Sequence, residues 1–387
     1  MSLKKKLENC LQRAVENKEA AGVSVLVRQD GKDLCFASAG MADSEAGKPI
    51  RRDSIFRLYS QSKPITAAAA MILVDRGLLD LETPVDQYLP GFSHPQIMDE
   101  NGTRPALRAP WILELLGMTA GLSYPNIDPV GRCAERVFEE NQERIRQGQG
   151  LSTVEFCNRL GELPLAFAPG TGWRYSTCAD VLGAVIEIVS GKRFGQFLRE
   201  ELFDPLGMKD TGFYVPEEKQ DRLVRCYRRT EQGLEPFTDL HLAVGKYDMP
   251  PAFESGGAGL VSTADDYAAF AEMLMNGGVY RRKRILSRAA VKYMTSPQLR
   301  PSVQQQMWDN LGGYNYSCLM RICDLPGACP LFAEQGEYGW DGWLGTYFIN
   351  LPKENVTFLL FQNVTDAGTT PITRRCRNIL AGELSKG

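Results

Sequence analysis

Two β-hairpin patterns stand near opposite ends of this 387-residue chain. In the first, residues 23–28 alternate in polarity, and Asp30-Gly31 leads into residues 34–38. Asp-Gly between two such runs predicts a two-residue hairpin turn. In the second, residues 344–350 and 356–361 flank a turn at 352–355. An isolated hairpin is only marginally stable, so both ends are expected to contribute to one antiparallel sheet.

Helical periodicity marks the termini and the middle of the chain. An amphipathic first helix is predicted by the spacing of Leu7, Leu11, Ala14 and Val15. A closing helix is predicted by Ile372, Cys376, Ile379, Leu380 and Leu384. Glycines end the helices predicted between them at 67–76, 179–190 and 264–276. The charged stretch 135–149 is expected to be a solvated helix or a long loop.

These elements predict an α+β fold with two closely packed parts. We expect a sheet subdomain from approximately residues 1–60 and 280–387, and a mainly helical subdomain from approximately 61–279. Terminal helices should cover the sheet. A catalytic cleft should lie between the sheet edge and the helical part.

Composition excludes several classes of function. A net charge of −3 with interspersed signs predicts neither a nucleic-acid footprint nor a membrane-surface patch. The ten cysteines are too sparse for a disulfide scaffold, and Cys318, Cys323 and Cys329 lack the spacing of a zinc site. No metal or cofactor is therefore expected. Basic residues open the chain without an apolar signal segment after them, which predicts a cytoplasmic location. The oligomeric state is left undefined.

Ser60-Gln61-Ser62-Lys63 places a hydroxyl and an amine one helical turn apart, ahead of an apolar helix. A serine at a helix start is commonly an N-cap, and the same spacing recurs at Ser2 and Lys5. Ser-x-x-Lys is also the nucleophile and base arrangement of acyl-transfer enzymes. The meaning of Ser60 therefore depends on what surrounds it.

The rest of the sequence limits the choice of base. His94 and His241 lie in no metal or triad motif, and no Gly-x-Ser-x-Gly elbow occurs, so surface or loop roles are favoured for both. A catalytic base would have to be Lys or Tyr. Tyr175 lies in a Pro/Gly loop just before the 179–190 helix. It is either a packing aromatic or a phenol that relays the Ser60 proton.

A third segment, residues 338–345, reads Tyr-Gly-Trp-Asp-Gly-Trp-Leu-Gly and is expected to open the C-terminal hairpin. Its glycines suit a strand edge that a substrate backbone can approach, or a tight turn with core tryptophans. In this order, the three segments resemble those of the serine beta-lactamase and penicillin-binding superfamily, in its class C beta-lactamase-like branch. Residues 112–122 and 254–266 are similar to further segments of that branch.

The resemblance implies a role for each matching residue. Ser60 would be the nucleophile, Lys63 its base and Tyr175 the third catalytic member. The backbone N–H groups of Ser60 and Trp343 would form the oxyanion hole. As a base, Lys63 must lose its proton, which burial would favour.

Two departures from the penicillin-recognising members bear on the substrate. Thr177 stands where they have Asn, and Trp340-Asp341-Gly342 replaces Lys-Thr-Gly. The missing cation would leave a substrate carboxylate unanchored, and Asp341 would repel it. A Trp-x-Gly segment resembles the family VIII carboxylesterases instead. With Thr177, Trp340, Asp341 and Gly342 lining the substrate site, and with Tyr338, Trp343 and Tyr347 nearby, an uncharged, partly apolar group is expected.

Three functions follow as hypotheses. The first is a serine hydrolase that acts through an acyl-enzyme on a small ester or amide. The second applies the same machinery to D-amino-acid peptides or beta-lactams. The third is a non-catalytic, penicillin-binding-like sensor with an acylable serine.

Overall fold

The computed structural model describes residues 1–100 and 102–386. Its strands are β1 Gly22–Gln29, β2 Lys32–Asp43, β3 Lys48–Pro49, β4 Phe56–Arg57, β5 Gln96–Asp99, β6 Gly102–Pro105, β7 Cys226–Thr230, β8 Gly233–Phe237, β9 Val261–Ser262, β10 Val279–Tyr280, β11 Lys283–Arg284, β12 Tyr314–Ser317, β13 Met320–Cys323, β14 Tyr338–Asp341, β15 Tyr347–Leu351 and β16 Val356–Gln362. Its helices are α1 Leu3–Glu16, α2 Lys63–Asp75, α3 Ile112–Leu116, α4 Pro129–Arg146, α5 Thr153–Gly161, α6 Cys178–Ser190, α7 Phe194–Leu198, α8 Asp204–Leu206, α9 Ala264–Met275, α10 Arg288–Met294, α11 Pro301–Gln304 and α12 Pro371–Leu384.

Strands from both ends of the chain form one eight-stranded antiparallel sheet. Its order is β12-β13-β14-β15-β16-β1-β2-β3. The first and last strands of the chain lie side by side, with Val23 opposite Gln362. Asp30 and Gly31 both have positive φ, at 52° and 72°, which is the backbone of a two-residue hairpin turn. The predicted fold class and both terminal hairpins are confirmed.

The sheet buries both faces, because alternate residues of its central strands enter different cores. Val25, Phe358 and Leu360 pack beneath α1 and α12. Leu26 and Leu359 enter the larger core on the other face, which also contains α2, α6 and α9. The site therefore lies on the side of the sheet opposite the terminal helices.

The helices between the terminal hairpins start and end close to their predicted limits. Gly77, Gly191 and Gly277 follow α2, α6 and α9 with positive φ. The charged 135–149 stretch lies mainly in α4, a largely solvated helix whose inner face buries Val130 and Phe138. In the described part of the chain, no helix is long and apolar enough to cross a bilayer. The subdomain boundaries near residues 60 and 280 stay a prediction.

The third sequence segment does not open the C-terminal hairpin as expected. Residues 338–341 form a strand of their own, β14, and residues 342–345 form the turn into β15. The physical reason is the turn at Gly345, which has a φ of 83°. It ends β14 and starts the hairpin only at Tyr347. Trp340 and Asp341 therefore lie at the end of β14, next to Ser60.

Candidate active site

The backbone just before Ser60 is strained. Tyr59 is buried and has a φ of 45°, a conformation that non-glycine residues seldom adopt. A 3-10 turn over Tyr59–Ser62 then leads into α2, with Pro64 in its first turn. Ser60 lies half-buried in this turn. Such strain is characteristic of functional sites, where surrounding structure imposes it.

Lys63 is completely buried at the start of α2. Its Nζ lies 3.1 Å from Ser60 Oγ and donates a 2.9 Å hydrogen bond to the carbonyl of Gly257. Burial lowers the pKa of Lys63 to about 7, against the opposing charges of Asp180, Cys178 and Asp341. An amine with this pKa is neutral in a large fraction of molecules at neutral pH, as a base requires.

Tyr124 is a second phenol in contact with the amine. Its hydroxyl lies 3.1 Å from Lys63 Nζ, and burial raises the pKa of Tyr124 well above its usual value. A neutral phenol therefore faces Lys63 across the working pH range. The sequence carries no signal for this residue beyond its position two residues after the 112–122 segment.

Asp180 supports the other side of the amine. This buried carboxylate accepts hydrogen bonds from the Gly257 amide, at 3.0 Å, and from the Ser255 hydroxyl. It thus fixes the segment whose carbonyl holds Lys63. A Cβ at Gly257 would displace the Tyr124 hydroxyl and the Asp180 carboxylate, so glycine leaves both groups their positions.

Tyr175 lies on the other side of Ser60. Its hydroxyl is within hydrogen-bonding reach of Ser60, and the centroid of its ring is 4.6 Å from Lys63 Nζ. The indole N–H of Trp340 donates a 3.0 Å hydrogen bond to the same hydroxyl. Burial raises the pKa of Tyr175, although its hydrogen bonds with Ser60 and Trp340 oppose this. The structure thus brings Ser60, Lys63 and Tyr175 together.

Asp341 is paired rather than free. Arg321, which is 3% exposed, places a guanidinium nitrogen 3.2 Å from its carboxylate, and the Thr369 hydroxyl also donates to it. The guanidinium carbon lies 5.4 Å from the ring centroid of Trp340. A buried cation therefore opposes the negative charge of Asp341. Arg321 could not be identified as a site residue from the sequence, because only the pairing of β13 with β14 brings it to Asp341.

Gly342 lets the β14–β15 turn approach the nucleophile segment closely. A Cβ at this position would overlap the Leu58 carbonyl and the Thr346 hydroxyl. That hydroxyl donates a 3.1 Å hydrogen bond to the same carbonyl. The turn is thereby fixed against the residues that precede Ser60.

Trp343 follows Gly342 in this turn and is held by its ring. The His241 ring stacks on it at 3.8 Å between centroids, and its indole N–H donates a 2.8 Å bond to Asp366. Burial lowers the pKa of His241 to about 4, with the charge of Asp366 opposing. His241 is thus a neutral loop residue that packs beside the site.

Three residues expected near substrate lie elsewhere. Thr177 is fully buried at the start of α6, beside a small cavity lined by Leu122 and Leu160. Tyr338 is a core residue bonded to Asn350, and Tyr347 packs toward α12 with Arg377. Neither tyrosine can contact an acyl group, because its strand places it in the packed interior.

A cleft of about 380 Å³ opens beside the two phenols. It is lined by Ser123, Tyr124, Pro125, Asn126, Trp173, Arg174, Tyr175, Gln306 and Trp308. A half-buried serine beside a buried lysine and a phenol that lines such a cleft is the arrangement of a serine acyl-transfer hydrolase.

The chain belongs to the Beta-lactamase family, whose model matches residues 7–379. It is 30% identical to Esterase EstB of Burkholderia gladioli over 391 residues, covering 97% of this chain and 95% of that protein. It is 28% identical to monacolin J acid methylbutanoyltransferase of Aspergillus terreus over 359 residues, covering 86% and 82%. The solved structure of EstCE1, described as a hydrolase with promiscuous acyltransferase activity, is 27% identical with a TM-score of 0.83 over 98% of both chains. The protein is a serine hydrolase of this family.

Proposed function

We propose that this enzyme hydrolyses small, uncharged carboxylic esters through an acyl-enzyme on Ser60. The observation that carries the proposal is the 3.1 Å separation of Ser60 Oγ from the buried Lys63 amine. In the first half-reaction, Ser60 Oγ attacks the ester carbonyl and the alcohol leaves. In the second, water attacks the acyl-enzyme and releases the acid.

Lys63 is proposed as the base because its hydrogen bonds leave a lone pair for Ser60. A neutral amine has two N–H donors and one lone pair. One donor is committed to the Gly257 carbonyl, which can only accept. The remaining donor and the lone pair serve the hydroxyls of Tyr124 and Ser60, each 3.1 Å away. With its lone pair toward Ser60, Lys63 takes the hydroxyl proton as the oxygen attacks.

Tyr175 is proposed as the proton donor to the leaving alcohol. Its raised pKa keeps the phenol protonated, so it suits the role of an acid better than that of a resting phenolate. As Tyr175 gives its proton to the departing alkoxide oxygen, the protonated Lys63 amine gives the proton that it took from Ser60 back to the phenol oxygen. The charges then balance, and the resting amine is restored.

The oxyanion hole is proposed at the backbone N–H groups of Ser60 and Trp343. The Ser60 amide lies in the first turn of a 3-10 helix, where N–H groups lack partners within the helix. The Trp343 amide belongs to a turn that Gly342 brings against Leu58. Two fixed donors of this kind stabilise the charge that develops on the carbonyl oxygen.

An ester without a carboxylate is favoured over a beta-lactam or a D-amino-acid peptide. Arg321, the cation paired with Asp341 at the end of β14, is buried and committed to that carboxylate. Trp340 occupies the position of the usual lysine and is committed to Tyr175. No free cation therefore faces Ser60 from this strand to bind a carboxylate. The cytoplasmic location stays a prediction from sequence.

Intact-mass measurement after treatment with a fluorophosphonate tests the nucleophile. We expect one adduct on the wild-type protein and none on Ser60→Ala. Ser62→Ala is the matched control, because Ser62 lies two residues away with its hydroxyl bonded to the Leu260 amide, and it should still be labelled. Labelling of Ser60→Ala at the wild-type rate would refute the assignment. Turnover of nitrocefin as fast as of a simple acetate ester would overturn the preference for esters.

A further inference from the structure

The cleft beside the phenols has an aromatic wall that the proposed mechanism leaves unused. Its volume is about 380 Å³, which is within the range of small-molecule sites. Tyr124, which contacts Lys63, and Tyr175, which contacts Ser60, line it together with Trp173 and Trp308. The cleft therefore adjoins the reacting groups through the two phenols.

Trp308 is unusual in being a large aromatic side chain that is 47% exposed at this rim. Its ring centroid lies 4.8 Å from that of Tyr175 and 5.5 Å from that of Trp173, perpendicular to the latter. Aromatic pairs prefer such tilted and edge-to-face arrangements. The indole thus has one side packed on the tyrosine that borders Ser60 and another open to the cleft and to solvent.

The segment that carries Trp308 is anchored, so the exposed ring is held in place. Gln306 accepts a 3.3 Å hydrogen bond from the Trp173 backbone amide, which joins this segment to the Tyr175 loop. On either side, Met307 and Leu311 are buried in the main core. An exposed indole fixed in this way is a preformed surface for a ligand, because little conformational entropy remains to be lost on binding.

The chemistry decides which part of the ester occupies this cleft. In the proposed reaction, Tyr175 protonates the oxygen of the leaving alcohol, so that oxygen must come within hydrogen-bonding distance of the phenol. The alcohol's substituent must then extend from Tyr175. The ring of Tyr175 is itself a wall of the cleft. On the side of Trp343, by contrast, the space is occupied by the ring of His241, which is stacked on Trp343, and by the ring of Tyr59, which is tilted against both.

We propose that the cleft lined by Tyr175 and Trp308 binds the alcohol portion of the ester, that it favours an aromatic alcohol such as benzyl alcohol, and that Trp308 determines this preference. This inference rests on the proposed function. An aromatic ring there packs against the indole and the phenols, whereas a methyl group leaves the same surfaces exposed to water.

The same cleft also accepts an alcohol after the first one has left. When benzyl alcohol takes the place of water, its oxygen attacks the acyl carbon and the bond to Ser60 Oγ breaks. The benzyl alcohol proton passes to the Lys63–Tyr175 pair, and Ser60 regains a proton from it. The product is a benzyl ester, and no further reactant is needed.

Two acetate esters that form the same acyl-enzyme test the proposal. For benzyl acetate, we expect Trp308→Ala to lower kcat/KM by about 3- to 10-fold, the range given by one aromatic contact. For methyl acetate, the change should stay within about 2-fold. Trp308→Phe should retain most of the benzyl preference. Comparing each variant with wild type on the same ester cancels the intrinsic reactivity of the two alcohols.

Deacylation supplies the internal control. Both esters give acetyl-Ser60, so the rate of acetyl-enzyme hydrolysis should not change in Trp308→Ala. The yield of benzyl acetate from methyl acetate and added benzyl alcohol should fall by the same 3- to 10-fold. Phe332→Ala serves as a matched control, since Phe332 is 66% exposed outside the cleft and should alter neither ratio.

The outcomes separate this proposal from the one on which it rests. An equal loss for both esters in Trp308→Ala, or no loss for either, overturns the cleft assignment while acetylation of Ser60 stands. Absence of acetyl-Ser60 in the wild type with either ester overturns the proposed function and the cleft assignment together.

Discussion

The indole N–H of Trp340 donates a 3.0 Å hydrogen bond to the hydroxyl of Tyr175. This bond joins the end of β14 to the loop before α6, and so links the sheet to the helical part at the site itself. Because Trp340 is 1% exposed, the donor has no alternative partner in solvent. The tryptophan thus sets the position of the phenol and takes the place in which related enzymes present a cation.

Replacing Trp340 with Phe should remove this donor and keep an aromatic ring beneath Tyr175. We expect kcat to fall about 3- to 10-fold, in line with the net value of one hydrogen bond, and KM to change little. Steady-state kinetics on an acetate ester measure the split between the two constants. An unchanged kcat would show that Tyr175 keeps its position without the indole.

The pKa of Lys63, lowered to about 7 by burial, should appear in the pH profile. Since the neutral amine is the base, kcat/KM should rise with pH through about 7 and level off above it. The charged or titratable groups that face the amine are Asp180, Cys178, Asp341, Tyr124 and Tyr175. Lys63→Arg should abolish this rise and lower kcat/KM by at least about 100-fold, because arginine stays protonated. A pH-independent wild-type profile between 6 and 8 would contradict the assignment.

The lowered pKa of Lys63 also means that this residue destabilises the folded protein at neutral pH. Its pKa is lower in the folded than in the unfolded chain, so the unfolded chain binds more protons between pH 7 and about 10.5 and stability rises with pH through that window. At neutral pH, Lys63→Met should therefore raise Tm by at least about 2 °C while it removes activity. Thermal melts at pH 7 and at pH 10 check the sign, since the gain should shrink at the higher pH.

The Arg321–Asp341 pair should determine the pH at which kcat/KM rises. Loss of the cation in Arg321→Met leaves the Asp341 charge unopposed near Lys63, which raises the pKa of the amine. The rise in kcat/KM should move to higher pH, and breaking the buried pair should cost about 3–5 kcal/mol of stability. When Arg321→Met is combined with Asp341→Asn, kcat/KM should rise at the wild-type pH or at a lower one. If kcat/KM rises at the same pH in Arg321→Met and in the double variant, Asp341 does not act on Lys63.

Gly342→Ala should disturb the nucleophile without changing any polar group. Its methyl group overlaps the Leu58 carbonyl, so the turn must withdraw from the segment before Ser60. We expect the rate of fluorophosphonate labelling to fall at least about 10-fold, with a loss of about 1–3 kcal/mol of stability. Gly327→Ala is the matched control, since a Cβ there meets no atom within 4 Å, and it should label at the wild-type rate.

Local rules were enough to predict the terminal hairpins, the main helices and the Ser60–Lys63 pair. Both the turn at Asp30-Gly31 and the one-turn spacing of Ser60 and Lys63 depend only on residues that are close together in sequence. The resemblance to a family added Tyr175, which no local rule distinguishes from a packing aromatic. That these residues lie together is consistent with their predicted roles, and mutagenesis remains the test of those roles.

Other parts of the site depend on packing between distant segments. Tyr124 reaches Lys63 across the gap between the loop before α4 and the start of α2. Arg321 meets Asp341 through the register of two adjacent strands, which one sequence does not reveal. For the same reason, the burial of Thr177 and Tyr347 could not be read from their neighbours. The burial of each residue depends on which face of its helix or strand packs against the core.

The pairing of β1 with β16 limits how early the enzyme can fold during its synthesis on the ribosome. Val23 meets Gln362 across almost the whole length of the chain, so the central sheet cannot close until the last strand has been synthesised. Only β15 and the loop after it separate that strand from the turn proposed to hold the oxyanion. A nascent chain that already carries Ser60 and Lys63 therefore lacks its finished site until β16 has been synthesised, and pairing at such separation is slow. Activity should accordingly appear only after β16 has left the ribosome.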